Sequence, residues 1–192
     1  MRASLTTIVA AAALAVTMGS AQAFIGFPPQ APSSALDQET RAVEQGQIPR
    51  ELVSVDLDYA PGTVVVSTAQ RRLYLILPGR QAIRYAVGVG RPGFEWAGVH
   101  KVSRKAAWPD WRPPAEMLKR RPDLPRFMEG GEDNPLGARA LYLGSSLYRI
   151  HGSNEPNTIG QAVSSGCIRM TNEDVADLYE RVPVGATVVV LR

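Results

Sequence analysis

The chain carries one cysteine and two histidines in 192 residues. A lone cysteine excludes a disulfide within the chain. Cys167 with His100 and His151 is also too small a set for a closed structural zinc site, which takes four ligands. No metal or cofactor is expected. After residue 23 no run is apolar enough for a membrane helix, which needs about 20 apolar residues. An excess of charge of either sign is lacking too, with 21 Lys and Arg against 18 Asp and Glu. The formal net charge is +3 and the pI about 9.2, compatible with a polyanionic partner but specifying none. No internal repeat is visible.

What is present begins with a leader. Arg2 gives a positive start, Leu5 to Met18 is almost wholly apolar, and Gly19-Ser20-Ala21-Gln22-Ala23 ends in an A-x-A pattern. This is the layout of a secretory signal peptide, with a retained N-terminal anchor as the alternative. The expected division is a signal over 1–23, a tether over 24–60 rich in Pro, Gln, Ser and Ala, and one folded domain over 61–192. An exported protein works in the periplasm or cell envelope, which removes nucleic acid as a partner. The single-domain layout points to a monomer. Export also sharpens the question of Cys167. In an oxidising compartment an unpaired cysteine is a reactive thiol, half of an intermolecular bridge, or an inert buried residue.

The patterning is mainly β. Thr63 to Thr68, Arg72 to Leu77 and Ala82 to Val87 are β-branched or apolar runs separated by hairpin-length breaks such as Pro78-Gly79. Gly88, Gly90 and Gly93 with Pro92 read as a loop, and Gly98 to Ser103 as another strand. Residues 108–134 are irregular, because Pro109, Pro113 and Pro114 cannot donate to a ladder. Pro114 suits the first turn of a short helix through Arg120. Strands resume at Arg139 to Leu143 and Leu147 to Ile150. Asn172 to Arg181 is the clearest helix, with a cap at Thr171 or Asn172, acids in its first turn and Arg181 near its end. Thr187 to Leu191 closes as a buried strand.

Two segments have compositions that packing does not require: Ile150-His151-Gly152-Ser153-Asn154 at a strand end, and Ser164-Ser165-Gly166-Cys167-Ile168-Arg169-Met170 in a small-residue turn. A thiol ionises only near pH 8.5, so a nucleophilic cysteine needs an imidazole to take its proton. The imidazole in turn needs a third group to fix its tautomer. No acid adjoins His151, which leaves a backbone carbonyl such as that of Gly152. The turn Ser165-Gly166-Cys167 can offer amides to an oxyanion. The plain alternative is that Cys167 is a small buried hydrophobe and His151 a structural histidine. His100 receives no role.

His151-Gly152 followed by Ser164-Ser165-Gly166-Cys167-Ile168-Arg169-Met170 resembles the signature of the L,D-transpeptidases, the YkuD (ErfK/YbiS) family. The likeness extends from about Pro61 to Leu191, through Pro61-Gly62-Thr63, Gly88-Val89-Gly90, Asn134-Pro135-Leu136-Gly137 and Pro183-Val184-Gly185-Ala186. The resemblance implies a β-sandwich-like catalytic domain with one or two short helices. It implies Cys167 as nucleophile, His151 as proton donor and acceptor, and Gly152 as the carbonyl orienting His151. Gly166 and Ser165 would form the oxyanion turn, and Arg169 and Ser164 would meet substrate. A structural ion pair for Arg169 and a plain turn role for Ser164 are the alternatives. Many members have His where this chain has Ser165, so His151 is the one candidate base.

The implied substrate is the tetrapeptide stem of peptidoglycan, cleaved between an L- and a D-centre with release of D-alanine. The acceptor is a second stem, giving a 3-3 cross-link, or an amine of an envelope protein. Water as acceptor would make the enzyme an L,D-carboxypeptidase or endopeptidase. A non-catalytic wall-binding module is the reading from another class, and it would lack the thiol or the imidazole. Trp108 and Trp111 in the irregular region either wall the substrate or anchor the loop.

Overall fold

The structure is a computed structural model that describes residues 48–192. The signal assigned to 1–23 and the tether up to residue 47 lie outside the described residues. In chain order the elements are β1 (Glu51–Ser54), β2 (Val64–Ser67), β3 (Arg72–Leu77), β4 (Gln81–Ala86), β5 (Val89–Gly90), β6 (Gly98–Ala107), α1 (Ala115–Arg120), β7 (Arg139–Leu143), β8 (Arg149–His151), β9 (Ala162–Ser164), β10 (Ile168–Arg169), α2 (Asn172–Arg181) and β11 (Thr187–Leu191).

Nine strands form one sheet in the order β1-β4-β3-β2-β11-β6-β7-β8-β10, and β5 pairs with β9 beside it. The pairs β11–β2 and β10–β8 are parallel, and the other pairs of the large sheet are antiparallel. The sheet curls. Gly88, just past β4 in one half, bridges Arg169 on the far edge strand β10. The concave side encloses one core to which both halves contribute: Val64, Leu73 and Tyr85 from one, Leu141, Ile150 and Ile168 from the other, and Val175 and Leu178 of α2 across them. Over the described residues the chain is therefore mainly β with two short α-helices.

β2 is apolar and buried at Val64, Val65 and Val66 because it is covered on both faces. Val64 and Val66 face the main core. Val65 joins Ile76 and Ala82 on the opposite side, beneath Val53, Val55, Leu57 and Tyr59. Those four alternate with the exposed Leu52, Ser54, Asp56 and Asp58, the period of an extended segment with one face down. The folded structure thus reaches back before Pro61, into the stretch that composition assigns to the tether. Arg50 adds an ion pair to Asp174 of α2 at 3.1 Å.

α2 has the expected ends. The Thr171 hydroxyl accepts from the Asp174 N–H, Glu173 and Asp174 occupy the first turn, and Arg181 the last. β6 runs four residues past Ser103. β8 starts two residues later than the apolar pattern indicates and ends on His151, which places that side chain on the ladder. The glycine-rich stretch read as a loop contains β5. In the irregular region, Trp111 is buried and bridged to Met128. Asn134 brackets the same loop by donating to the Met128 and Glu129 carbonyls and accepting from the Leu136 N–H. Trp111 is an anchor, whereas Trp108 is 43% exposed.

Candidate active site

The chemistry-bearing residues meet where β8 and β10 lie side by side. Their register sets Ile168 against Ile150 and Arg169 against His151. Ile150 and Ile168 point into the core. Side chains alternate along a strand, so Arg149 and His151 of β8, and Cys167 just before β10 and Arg169 within it, share the opposite face. The parallel pairing is what brings together two positions that are 16 residues apart in sequence.

His151 is 3% exposed. Its Nδ1–H donates to the Gly152 carbonyl at 2.6 Å. A carbonyl can only accept, so this bond fixes the proton on Nδ1 and leaves a lone pair on Nε2. Burial, reinforced by the positive charges of Arg169 and Arg149, pushes the imidazole pKa down to about 3. The ring is neutral throughout the ordinary working range.

Gly152 has no room for a side chain. An added Cβ would lie 2.2 Å from Asn172 Oδ1. That oxygen accepts from the Ala138 N–H at 2.9 Å and from the Ser153 N–H at 3.3 Å. Asn172, which sequence reading treats only as a cap candidate, therefore pins the chain on both sides of the His151-Gly152 step.

Cys167 is partly exposed and unpaired. Its sulfur lies 3.9 Å from the Leu147 carbonyl, and among the described residues no hydrogen bond joins it to the imidazole. Desolvation raises the thiol pKa above its usual value. The charge and N–H groups of Arg149, and the charge of Arg169, act in the other direction.

The turn before the thiol is held from within. The Ser164 hydroxyl, buried, donates to the Cys167 carbonyl at 2.6 Å and accepts from the Gly166 N–H at 3.1 Å. Ser164 is thereby committed to the turn rather than to the cleft. The Gly166 carbonyl accepts from Trp96 Nε1 at 2.6 Å, and the Trp96 ring stacks on Tyr148 at 4.3 Å. With its N–H and its carbonyl both engaged, Gly166 has no amide left to donate to an oxyanion. The Cys167 N–H, by contrast, has no protein partner among the described residues. Glycine at 166 is required on two counts: φ is +105°, and a Cβ would stand 2.6 Å from Tyr148 Cε1.

Ser165 Oγ accepts from Arg91 at 3.1 Å. Arg169 pairs with Glu155 at 3.0 Å. His100 meets the edge of Trp96, with ring centroids 5.3 Å apart, and lies outside the thiol–imidazole face. A cleft bounded by Thr68, Arg71, Glu95 and Arg192 opens beside β5 and β9 and includes neither Cys167 nor His151. Among the described residues there is no cluster of three or more potential metal ligands, and no helix is long and apolar enough to cross a membrane.

Residues 61–190 match the family model of the YkuD L,D-transpeptidase catalytic domain. The chain is 39% identical over 153 residues to the probable L,D-transpeptidase ErfK/SrfK of Escherichia coli, covering 75% of this chain and 48% of that protein. It is 39% identical over 150 residues to the probable L,D-transpeptidase YbiS of the same organism, covering 73% and 47%. The chain thus spans about half the length of these curated relatives.

Among solved structures, L,D-transpeptidase 3 from Mycobacterium tuberculosis superposes with a TM-score of 0.56 at 18% identity, covering 68% of this chain and 60% of that one, a likeness of fold. A Brucella melitensis structure described as a probable carnitine operon oxidoreductase is 43% identical, with a TM-score of 0.51, and covers 75% of this chain and 94% of that one. That description belongs to that protein. The match over residues 61–190, together with relatives at 39% identity, places this chain in the family of L,D-transpeptidase (YkuD) catalytic domains.

Proposed function

We propose that the chain is a cysteine-dependent L,D-transpeptidase acting on peptidoglycan stems in the periplasm or cell envelope. The observation that carries this reading is the shared face of the parallel β8–β10 pair, with a neutral imidazole with a free Nε2 at the end of β8 and a part-exposed thiol immediately before β10.

In the first half-reaction Nε2 of His151 takes the thiol proton and the sulfur lone pair attacks the carbonyl carbon of the stem. The Cys167 N–H donates to the oxygen that becomes negative. Collapse breaks the C–N bond, D-alanine leaves with the proton returned by Nε2, and a thioester remains on Cys167. In the second half-reaction an amine loses its proton to Nε2, attacks the thioester, and the sulfur departs. Gly152 holds the ring through its carbonyl. Ser164 and Gly166 shape the turn, Ser165 ties it to Arg91, and Arg169 keeps its charge on the active face while paired to Glu155. The acceptor is a second stem or an amine of an envelope protein, and the leader over 1–23 delivers the chain across the membrane.

The test is incubation with a disaccharide-tetrapeptide, products read by mass spectrometry, beside Cys167→Ala. A cross-linked dimer with loss of one D-alanine is the expected product. D-alanine release without a dimer would assign water as acceptor, and full activity in Cys167→Ala would end the thiol mechanism.

A further inference from the structure

The active face holds one charged group that the mechanism above does not use. Arg149 stands one residue before Ile150 in the parallel register, beside Cys167 across the β8–β10 pair. Its guanidinium carbon lies 5.2 Å from the centroid of the Tyr142 ring, and Arg104 covers that ring at 3.7 Å. Tyr142 is the cross-strand partner of both arginines, so the three form one row across β6, β7 and β8 leading to the thiol.

Among the described residues no carboxylate lies within ion-pair distance of Arg149. Its Nε is buried with no hydrogen-bond partner at all. A guanidinium cannot shed its proton, and a sequestered N–H without a partner is costly. A fold that keeps such a group at this position without a counter-ion leaves it free for an anion that exists only during the reaction. The anion generated next to Arg149 is the sulfur of Cys167.

The charges facing that sulfur can be enumerated. From β8 there are Arg149 and His151. From β10 there is Arg169, whose charge is shared with Glu155. Arg91 reaches the turn at Ser165 and is stacked on Phe94, with 4.1 Å from guanidinium carbon to ring centroid. Of these arginines, Arg169 has a carboxylate and Arg91 donates to Ser165, whereas Arg149 has no carboxylate and its Nε is buried without a partner. The resting imidazole does not stand in for it, since burial keeps that ring neutral until it takes the thiol proton.

We propose that Arg149 is a further catalytic residue, the fixed cation that supports the Cys167 sulfur anion before attack and as the leaving group of deacylation. The proposal rests on the reading of Cys167 as nucleophile. No atom is transferred to or from the guanidinium: the thiol proton still goes to Nε2 of His151, and the sulfur lone pair to the carbonyl carbon.

Cys167 is the one thiol in the chain, so its ionisation can be followed without background. The full chain, Arg149→Met, Arg149→Lys and His151→Asn are alkylated with iodoacetamide between pH 5 and 10, and rates are read from intact mass. Circular dichroism selects folded variants. The expected result is that Arg149→Met moves the inflection up by about one unit, which slows alkylation about tenfold at neutral pH. Arg149→Lys should restore part of the shift, and His151→Asn should leave the inflection near that of the parent.

Superimposable profiles for Arg149→Met and the parent overturn the proposal. So does an inflection that moves with His151→Asn and not with Arg149→Met. An unchanged profile joined to a raised KM for the tetrapeptide would make Arg149 a contact for a substrate carboxylate, and also overturns it. If Cys167→Ala abolishes transpeptidation while Arg149→Met alkylates like the parent, the inference about Arg149 fails and the nucleophile stands. If Cys167→Ala remains active, the reading of the nucleophile fails whatever Arg149 does.

Discussion

Lowering the pH from 7 to 4 should cost this domain about 3 kcal/mol of stability through one side chain, His151. In the folded protein its pKa lies near 3, held down by burial and by Arg169, against an ordinary value of 6.5. The unfolded chain therefore binds a proton first as the pH falls, and protonation pulls the equilibrium toward unfolding. The stabilising difference is complete above pH 6.5 and is lost progressively as the pH falls from there toward 3. Each pH unit inside that window is worth about 1.4 kcal/mol. From 6.5 down to 4 this amounts to about 3 kcal/mol, a large share of the ~5–15 kcal/mol that holds a domain together.

Urea unfolding at pH 7 and pH 4, followed by circular dichroism, measures the loss. Its counterpart is His151→Asn, whose amide can still donate to the Gly152 carbonyl but does not titrate. Other groups titrate in both proteins, so the difference between the two pH dependences isolates the imidazole. Parallel losses in parent and variant would show that His151 is readily protonated in the folded state, and the assignment of an imidazole that rests neutral would fall.

Three further outcomes follow from named contacts. kcat/KM for a tetrapeptide should climb from pH 6 to 9 as the desolvated thiol ionises, with no acid limb near 6.5; an inflection there would mean a titrating imidazole. Gly166→Ala forces a Cβ onto Tyr148 at a φ of +105° and should cost about 1–3 kcal/mol together with most of the activity, read by thermal melting and product formation. Asn172→Ala strands the Ala138 and Ser153 N–H groups and should destabilise by about 1–3 kcal/mol; an unshifted urea midpoint would show that the amide is not the clamp described above.

The helix 172–181 and the central strands were legible because local rules and tertiary need agree there. A threonine cap, acids in the first turn and an apolar stripe all mark the same ten residues. The thiol and the imidazole were legible as a pair of odd compositions, but their proximity was not, because parallel pairing of two very short strands leaves no local trace. The missed features have the same origin. Val53, Val55, Leu57 and Tyr59 alternate with period two, a usable signal that the surrounding tether-like composition concealed. Arg149 sits two positions before His151, so strand periodicity alone places both on one face; what could not be read was the absence of a carboxylate beside it. The Gly166 amide looked available to an oxyanion. Only coordinates reveal that the Ser164 hydroxyl, two residues back, already occupies it.

The position of β11 has a consequence for how the protein is made. It lies between β2 and β6, and no other ladder of the large sheet joins the strands of the first half to those bearing Arg149, His151 and Arg169. While a nascent chain still lacks residues 187–191, the large sheet is interrupted between β2 and β6, and its two halves meet through the Gly88–Arg169 bridge and the short β5–β9 pair. A ribosome-bound chain stopped before Thr187 therefore lacks the continuous sheet and should be softer to proteases than the full chain.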